Sequence, residues 1–303
     1  MRLKALAIVG ALLAGGCATA HRPGALAPLL PVSSGIVATV LTCDGLNADC
    51  FYRPSDKPRR ALILLGGSEG GKGWSNQMRQ IEQLVDAGYY VLSVAYFGAE
   101  GLPSGLRAIP LEYFARAFRW LSVQQGVIPD DYVLMGVSRG AELALLLASV
   151  YPQVKAVVAI APSSVVFPGP PTGILDTLRG QHSAWSLDGQ EVPFLRIPYS
   201  FATLRGLISG RRTRMFEKAL SNARGVDKAA IAVEKARGPI LLISFTRDQI
   251  WPSTFMSEQL TRRLAANGFG FQCQHQAYPR KHSDWSYEPC WTCILAFLRQ
   301  QCE

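Results

Sequence analysis

The sequence predicts an α/β fold: a mostly parallel sheet with helices on both faces and an inserted lid-like segment. Three observations carry this. Strand-length stretches, most of them apolar, at 61–65, 89–96, 131–136, 154–160, 240–245 and 271–278, alternate with helix-length stretches. Such alternation demands crossover connections, hence parallel strands with helices packed above and below them. The turn Gly136-Val137-Ser138-Arg139-Gly140 joins one strand to the apolar run 141–150, the context a strand-to-helix elbow needs. Of 303 residues, 49% are hydrophobic and 17% charged, enough for one large domain with a sizeable core.

The N-terminal segment is read apart from that domain. Met1-Arg2-Leu3-Lys4 is a positive start, and 5–13 is apolar but too short to span a bilayer. Ala14-Gly15-Gly16-Cys17 resembles a bacterial lipobox, which makes 1–16 a signal peptide and Cys17 the lipid-bearing residue. Ordinary cleavage after Ala18-Thr19-Ala20 is the alternative, giving a soluble periplasmic protein. The lipobox reading expects a membrane-anchored lipoprotein facing the periplasm, and Ala18 after Cys17 favours the outer membrane. Residues 17–34, rich in Ala, Pro and Gly, read as a tether, and 35–303 as the domain.

Without Cys17, six of the seven cysteines remain, an even set that suggests disulfides in an exported protein. Cys43 and Cys50 flank a short polar turn and are expected to pair. Cys273, Cys290, Cys293 and Cys302 allow three connectivities, among them a local Cys290–Cys293 bridge and a Cys273–Cys302 bridge. The net charge of +9 is spread along the chain, which argues against nucleic acid and leaves an anionic substrate or an acidic membrane surface open.

In order, 35–42 and 47–52 read as an opening hairpin, 61–65 as a buried strand, and 76–87 as a helix stopped by Gly88. A strand at 89–96 precedes a helix opened by Pro110 and carrying Leu111, Phe114, Phe118 and Leu121 on one face. After the strand 154–160 the rhythm breaks. The segment at about 163–237 reads as an insertion over the sheet, with one helix at about 213–235. Strand 240–245, a helix 253–266 capped by Ser253, strand 271–278 and a helix 289–301 complete the chain.

A serine hydroxyl is a weak nucleophile that needs a base, and the base needs an orienting acid. On a strand-to-helix elbow the expected chain order is Ser, acid, His. Asp248 follows the strand 240–245, and His282 follows the strand 271–278, so both fall in loops at the sheet edge that carries Ser138. His275 lies inside a strand and His182 inside the insertion, and Glu69 and Asp188 are weaker acid candidates. Gly66-Gly67-Ser68-Glu69-Gly70-Gly71 is either a tight turn or a source of the second oxyanion donor, at Ser68 N–H, with Arg139 N–H as the first. It lacks the G-x-x-x-x-G-K-[ST] order of a phosphate cradle. Trp251 and Trp285 either wall a pocket or pack the core, and Arg211, Arg212 and Arg214 either meet an anionic head group or form a solvated face. This chemistry needs neither cofactor nor metal.

Leu65 to Gly71, Ala95-Tyr96-Phe97-Gly98, Ile109-Pro110-Leu111-Glu112-Tyr113-Phe114, Gly136 to Glu142, Trp185-Ser186-Leu187-Asp188-Gly189 and Asp248-Gln249-Ile250-Trp251-Pro252-Ser253 occur in that order. Together they resemble the C-terminal catalytic domain of the acyl-CoA thioesterase and bile acid-CoA:amino acid N-acyltransferase family, from about Arg60 to the C-terminus. The resemblance implies an α/β-hydrolase fold, a Ser138–Asp248–His282 triad, and acyl transfer from a small-molecule ester or thioester. In that family serine goes with hydrolases and cysteine with acyltransferases, so Ser138 favours hydrolysis. An acyltransferase to an amine or alcohol, and a non-catalytic envelope protein keeping the fold, are the alternatives. The sequence departs from the family in Phe245-Thr246-Arg247-Asp248, where one aspartate replaces a pair, and too few residues precede Arg60 for the family's N-terminal β-sandwich, which is expected to be missing. Export also separates the chain from cytoplasmic coenzyme A thioesters, so an envelope ester is an equal expectation.

Overall fold

The computed structural model describes residues 35–171, 180–198 and 212–302. Its strands are β1 Val37–Cys43, β2 Leu46–Tyr52, β3 Arg59–Leu65, β4 Tyr90–Ala95, β5 Ile109–Pro110, β6 Val127–Val137, β7 Val154–Ile160, β8 Trp185–Leu187, β9 Gln190–Glu191, β10 Ile240–Phe245 and β11 Cys273–Tyr278. Its helices are α1 Met78–Asp86, α2 Glu112–Ser122, α3 Arg139–Val150, α4 Thr213–Leu220, α5 Ala223–Ala229, α6 Ser253–Ala266 and α7 Glu288–Gln300.

Eight strands form the main sheet in the order β1-β2-β4-β3-β6-β7-β10-β11. The β1–β2 and β2–β4 pairs are antiparallel and all others parallel. The hairpin turns on Asp44 and Gly45, with φ of 49° and 74°, the left-handed pair that a two-residue turn between twisted strands requires. Every residue of 61–65 is buried, yet the strand still alternates. Ala61, Ile63 and Leu65 enter the core under α2, α3 and α6, and Leu62 and Leu64 enter the core under α1 and α7. A strand covered on both faces has no polar side, which is why its sequence is a continuous apolar run.

The described part of the 163–237 segment packs on this body. β8 pairs with β5, and β9 pairs with β8. Phe167 and Phe216 meet edge-to-face at 4.8 Å, and both rings approach Trp251 of the body, at 6.0 and 5.8 Å. The single helix expected at 213–235 is instead α4, α5 and a short 3-10 turn at Val233–Lys235. The break falls at Asn222, whose side chain accepts the N–H of Gly225 and so starts a new helix. Ser253 is the first residue of α6 rather than its cap, which is Pro252.

The expected disulfides are not formed: Cys43, Cys50, Cys273, Cys290, Cys293 and Cys302 are free thiols. Cys43 lies opposite Leu46 at the turn end of the ladder and Cys50 opposite Thr39, several pairs away, so the two do not face each other. Cys273 packs against the α2/α3 core, and Cys302 lies beside Gly88 and Tyr89 on the other side of the sheet. Cys290 is buried in the α1/α7 core, and burial pushes its thiol up to about 12, which keeps it protonated and unreactive. Cys17 and the 1–34 segment lie outside the described residues. Among the described residues no helix is long and apolar enough to cross a membrane, and no His/Cys/Asp/Glu group could hold a metal ion.

Non-reducing peptide mapping of the folded chain is therefore expected to yield no peptide joining Cys43 to Cys50. Alkylation without denaturant is expected to reach exposed Cys302 first and to spare buried Cys50 and Cys290. A Cys43–Cys50 peptide would contradict the hairpin register.

Candidate active site

β6 runs through the middle of the sheet and delivers Ser138 to its carboxyl edge. Ser138 adopts φ 56° and ψ −117°, a strained conformation for a residue with a side chain. It is held there because its N–H donates to Ile160 O of neighbouring β7 (2.8 Å) while its carbonyl accepts the first N–H groups of α3. The two glycines of the elbow are steric necessities. A Cβ on Gly136 would overlap the Gly140 carbonyl, and a Cβ on Gly140 would overlap the carbonyl oxygens of Leu65 and Gly66. Strand, helix and the loop after β3 thus touch backbone to backbone around the serine.

Asp248 lies just past β10, and His282 past β11. Asp248 Oδ2 accepts from His282 Nδ1 at 2.8 Å, and the two side chains are 2% and 8% exposed. Asp248 is itself held by four donors: Oδ1 accepts the N–H groups of Ile250 (2.9 Å) and Trp251 (3.2 Å), and Oδ2 also accepts the Ser253 hydroxyl (2.7 Å). The Trp251 ring stands edge-to-face against the imidazole at 5.9 Å. Because Nδ1 is engaged by the carboxylate, the free Nε2 is the nitrogen left for chemistry. Ser138 hydrogen-bonds to none of the described side chains, but it lines one cavity together with His282.

Two cavities adjoin at Ser138. One, of about 520 Å³, has a mixed polar and apolar lining that includes Glu69, Asn76, Gln77, His282, Ser283 and Trp285. The other, of about 190 Å³, is apolar and is walled by Pro168, Pro170, Met215, Phe216, Ile250 and Trp251. Ser68 lines both, and Arg139 the second. Arg139 is the first helical residue, so its N–H has no acceptor within the helix and lies at the positive end of the α3 dipole. Arg212 lines both cavities, Arg214 is exposed on α4, and Arg211 lies outside the described residues.

The competing residues are engaged elsewhere. His275 Nε2 meets the buried Ser244 hydroxyl at 2.8 Å inside the sheet. His182 pairs with Glu191 at 2.7 Å in the insertion. Asp188 occupies a left-handed turn position (φ 51°) and donates its N–H to Glu112.

Along the chain Glu142 and Trp185 belong to motifs but show no role of their own, and the structure joins them behind Ser138. Glu142 is fully buried, accepts Arg139 Nη1 at 2.7 Å and Trp185 Nε1 at 2.7 Å, and receives the Phe167 N–H at 3.4 Å. Arg139 Nη2 donates to the carbonyls of Phe167 (2.9 Å) and Pro168 (3.0 Å). One buried ion pair therefore ties the elbow helix to the wall of the apolar cavity and to β8. Burial pushes the Glu142 carboxyl up to about 7, against the pull of Arg139 and the two N–H donors. Only the spacing of Arg139 and Glu142, three apart on one helix, hinted at this pairing.

Compared with known proteins, residues 109–283 match the model of the family described as BAAT / Acyl-CoA thioester hydrolase C terminal. Acyl-coenzyme A thioesterase 2, mitochondrial, of Mus musculus is 26% identical over 225 residues, covering 74% of this chain and 44% of that protein. The Mus musculus peroxisomal succinyl-coenzyme A thioesterase is 28% identical over 224 residues, covering 74% and 48%. The chain thus spans about half the length of these relatives. A putative dienelactone hydrolase from Klebsiella pneumoniae superposes with a TM-score of 0.56 at 16% identity, covering 88% of this chain and 99% of that one. An esterase from Pyrococcus furiosus superposes with a TM-score of 0.55 at 14% identity, covering 88% and 92%. These likenesses establish an α/β-hydrolase fold.

Replacing Glu142 by Ala strands a buried guanidinium and is expected to cost ~3–5 kcal/mol of stability in urea unfolding at pH 8. In the unaltered chain the folded state holds the Glu142 proton to about pH 7 whereas the free carboxyl loses it near 4.5. This group therefore makes stability fall as pH rises through that window. Glu142→Gln should remove that part of the pH dependence, and an unchanged slope would refute the assignment.

Proposed function

The chain belongs to the BAAT / acyl-CoA thioester hydrolase C-terminal family, and from that premise we propose that it is a serine-dependent hydrolase of acyl thioesters or esters. The observation that carries the reading is the Asp248–His282 pair facing the cavity into which the strained Ser138 projects. In the proposed reaction His282 Nε2 takes the Ser138 proton as the oxygen attacks the acyl carbonyl, and Asp248 steadies the imidazolium through Nδ1–H. The oxyanion is held by Arg139 N–H, aided by the α3 dipole, and by Ser68 N–H. His282 then returns the proton to the departing thiolate or alkoxide, and water clears the acyl-enzyme by the same route in reverse.

The two cavities suit the two halves of such a substrate. The apolar one takes the acyl group against Phe216 and Trp251, and the one of mixed lining takes the leaving group beside Asn76 and Gln77. Export with Cys17 as the lipidated residue remains part of the proposal, supported by the 1–17 sequence pattern. Metabolic palmitate labelling that survives Cys17→Ser would remove that part and leave the chemistry untouched.

The test is turnover of 4-nitrophenyl acyl esters and of acyl-coenzyme A thioesters by the purified chain. Ser138→Ala and His282→Ala are each expected to lower kcat by roughly 10⁶-fold, and Asp248→Asn by ~10⁴-fold. Undiminished turnover in Ser138→Ala would overturn the proposal. Product diverted to an added amine, with free acid falling in step, would mark a transferase instead.

A further inference from the structure

We infer that Glu69 is a positioning residue whose carboxylate folds the 66–71 loop so that Ser68, and not Gly67, presents its N–H in front of Ser138. The inference rests on the serine-hydrolase reading for its kinetic consequence but on geometry for its substance.

Glu69 Oε1 accepts the N–H of Gly67 at 2.7 Å, so the side chain bends back over its own loop. The neighbouring glycines leave the room it occupies. A Cβ on Gly66, Gly67 or Gly73 would meet a Glu69 carboxylate oxygen at 2.8, 2.7 and 3.0 Å. The same Cβ on Gly67 would lie 3.4 Å from Ser138 Cβ, so the loop and its carboxylate stand directly against the nucleophile. The glycine richness of this loop is thus explained by an internal carboxylate that needs space, as well as by left-handed turns at Gly70 and Gly71 (φ 71° and 63°).

Other ties hold the loop at its ends. The buried Tyr96 hydroxyl donates to Gly66 O at 2.5 Å, and Trp74 Nε1 donates to Leu65 O at 3.1 Å. Gly71 N–H donates to Phe97 O at 2.8 Å, and Lys72 Nζ reaches the buried Asp49 at 2.5 Å. Between these anchors, Gly67 N–H is consumed by Glu69, and Ser68, the next residue, lines the cavity shared with Ser138.

A carboxylate beside a developing oxyanion is electrostatically adverse, so charge alone does not explain Glu69. Its usefulness is as a hydrogen-bond acceptor of the right reach. That distinction sets the experiment. Glutamine keeps the acceptor and drops the charge, aspartate keeps the charge and shortens the reach, and alanine drops both.

The full chain and its Glu69→Gln, Glu69→Asp and Glu69→Ala variants are compared for kcat and KM on 4-nitrophenyl butyrate, for fluorophosphonate labelling of Ser138, for thermal midpoint, and for amide exchange at Gly67 and Ser68. Loss of one oxyanion donor costs ~10²–10³ in kcat. Glu69→Ala and Glu69→Asp are expected to fall into that range with KM within about threefold, and Glu69→Gln to recover most of the loss. Amide exchange at Gly67 should quicken in the Ala and Asp variants and stay slow in the Gln variant. A Gln variant as impaired as Ala would overturn the inference in favour of a charge role, and so would an Ala variant that keeps its kcat or loses only KM. If the unaltered chain neither turns over ester nor takes the label, the serine-hydrolase reading fails and amide exchange alone decides: equal exchange in all four proteins overturns the inference. Should the Ala variant not fold, the contrast between Gln and Asp decides in the same way.

Discussion

The contact on which the rest depends is the meeting of three backbones at Ser138. β6, the start of α3 and the loop after β3 approach so closely that no side-chain carbon fits at Gly136 or Gly140. That closeness forces Ser138 into positive φ, and positive φ throws its side chain out over the sheet edge. The strain of such a residue is of order 1–3 kcal/mol and has to be overdetermined by its surroundings. Here the surroundings are a ladder hydrogen bond to Ile160 in the adjacent strand and a helix that is buried over nearly its whole length.

A second layer holds that contact in place. The Arg139–Glu142 pair is buried, and a buried pair is a poor source of net stability because both ions lose their water. Its value is in direction. The guanidinium is spread over a carboxylate and two carbonyls, and the carboxylate over a guanidinium, an indole and a backbone N–H. The elbow helix, the Phe167–Pro168 wall and β8 are thereby fixed relative to one another at the serine. Asp248 is treated in the same manner, with three donors besides the imidazole, and a carboxylate so held can orient His282 without rotating.

Much of the fold was legible because the sheet is covered on both faces. A doubly buried strand must be apolar throughout, so 61–65 and 240–245 announce themselves as short unbroken runs, and the helices between them announce themselves by their one-sided pattern. Ser138, Asp248 and His282 were legible for a related reason: each follows a recognisable strand, and strand ends on a parallel sheet share one edge. The errors fell where local sequence underdetermines geometry. The cysteine pairs looked plausible along the chain, but a two-residue turn at Asp44-Gly45 sets the register that keeps Cys43 from Cys50, and the sheet itself stands between Cys273 and Cys302. The break at Asn222 turned on one capping side chain inside an otherwise helix-compatible stretch.

By itself, the sequence determined the α/β architecture, the elbow, and the placing of Ser138, Asp248 and His282 past the ends of successive strands, since these depend on periodicity and on steric rules that act within a few residues. Tertiary structure alone decided what surrounds them. That Glu69 turns back onto Gly67, that Trp185 reaches Glu142 across 43 positions, and that Ser253 supports Asp248 are consequences of side chains meeting after the sheet has assembled. Hydrogen bonds and ion pairs of that kind are selected by distance and desolvation in the folded state, and neither quantity exists along an extended chain.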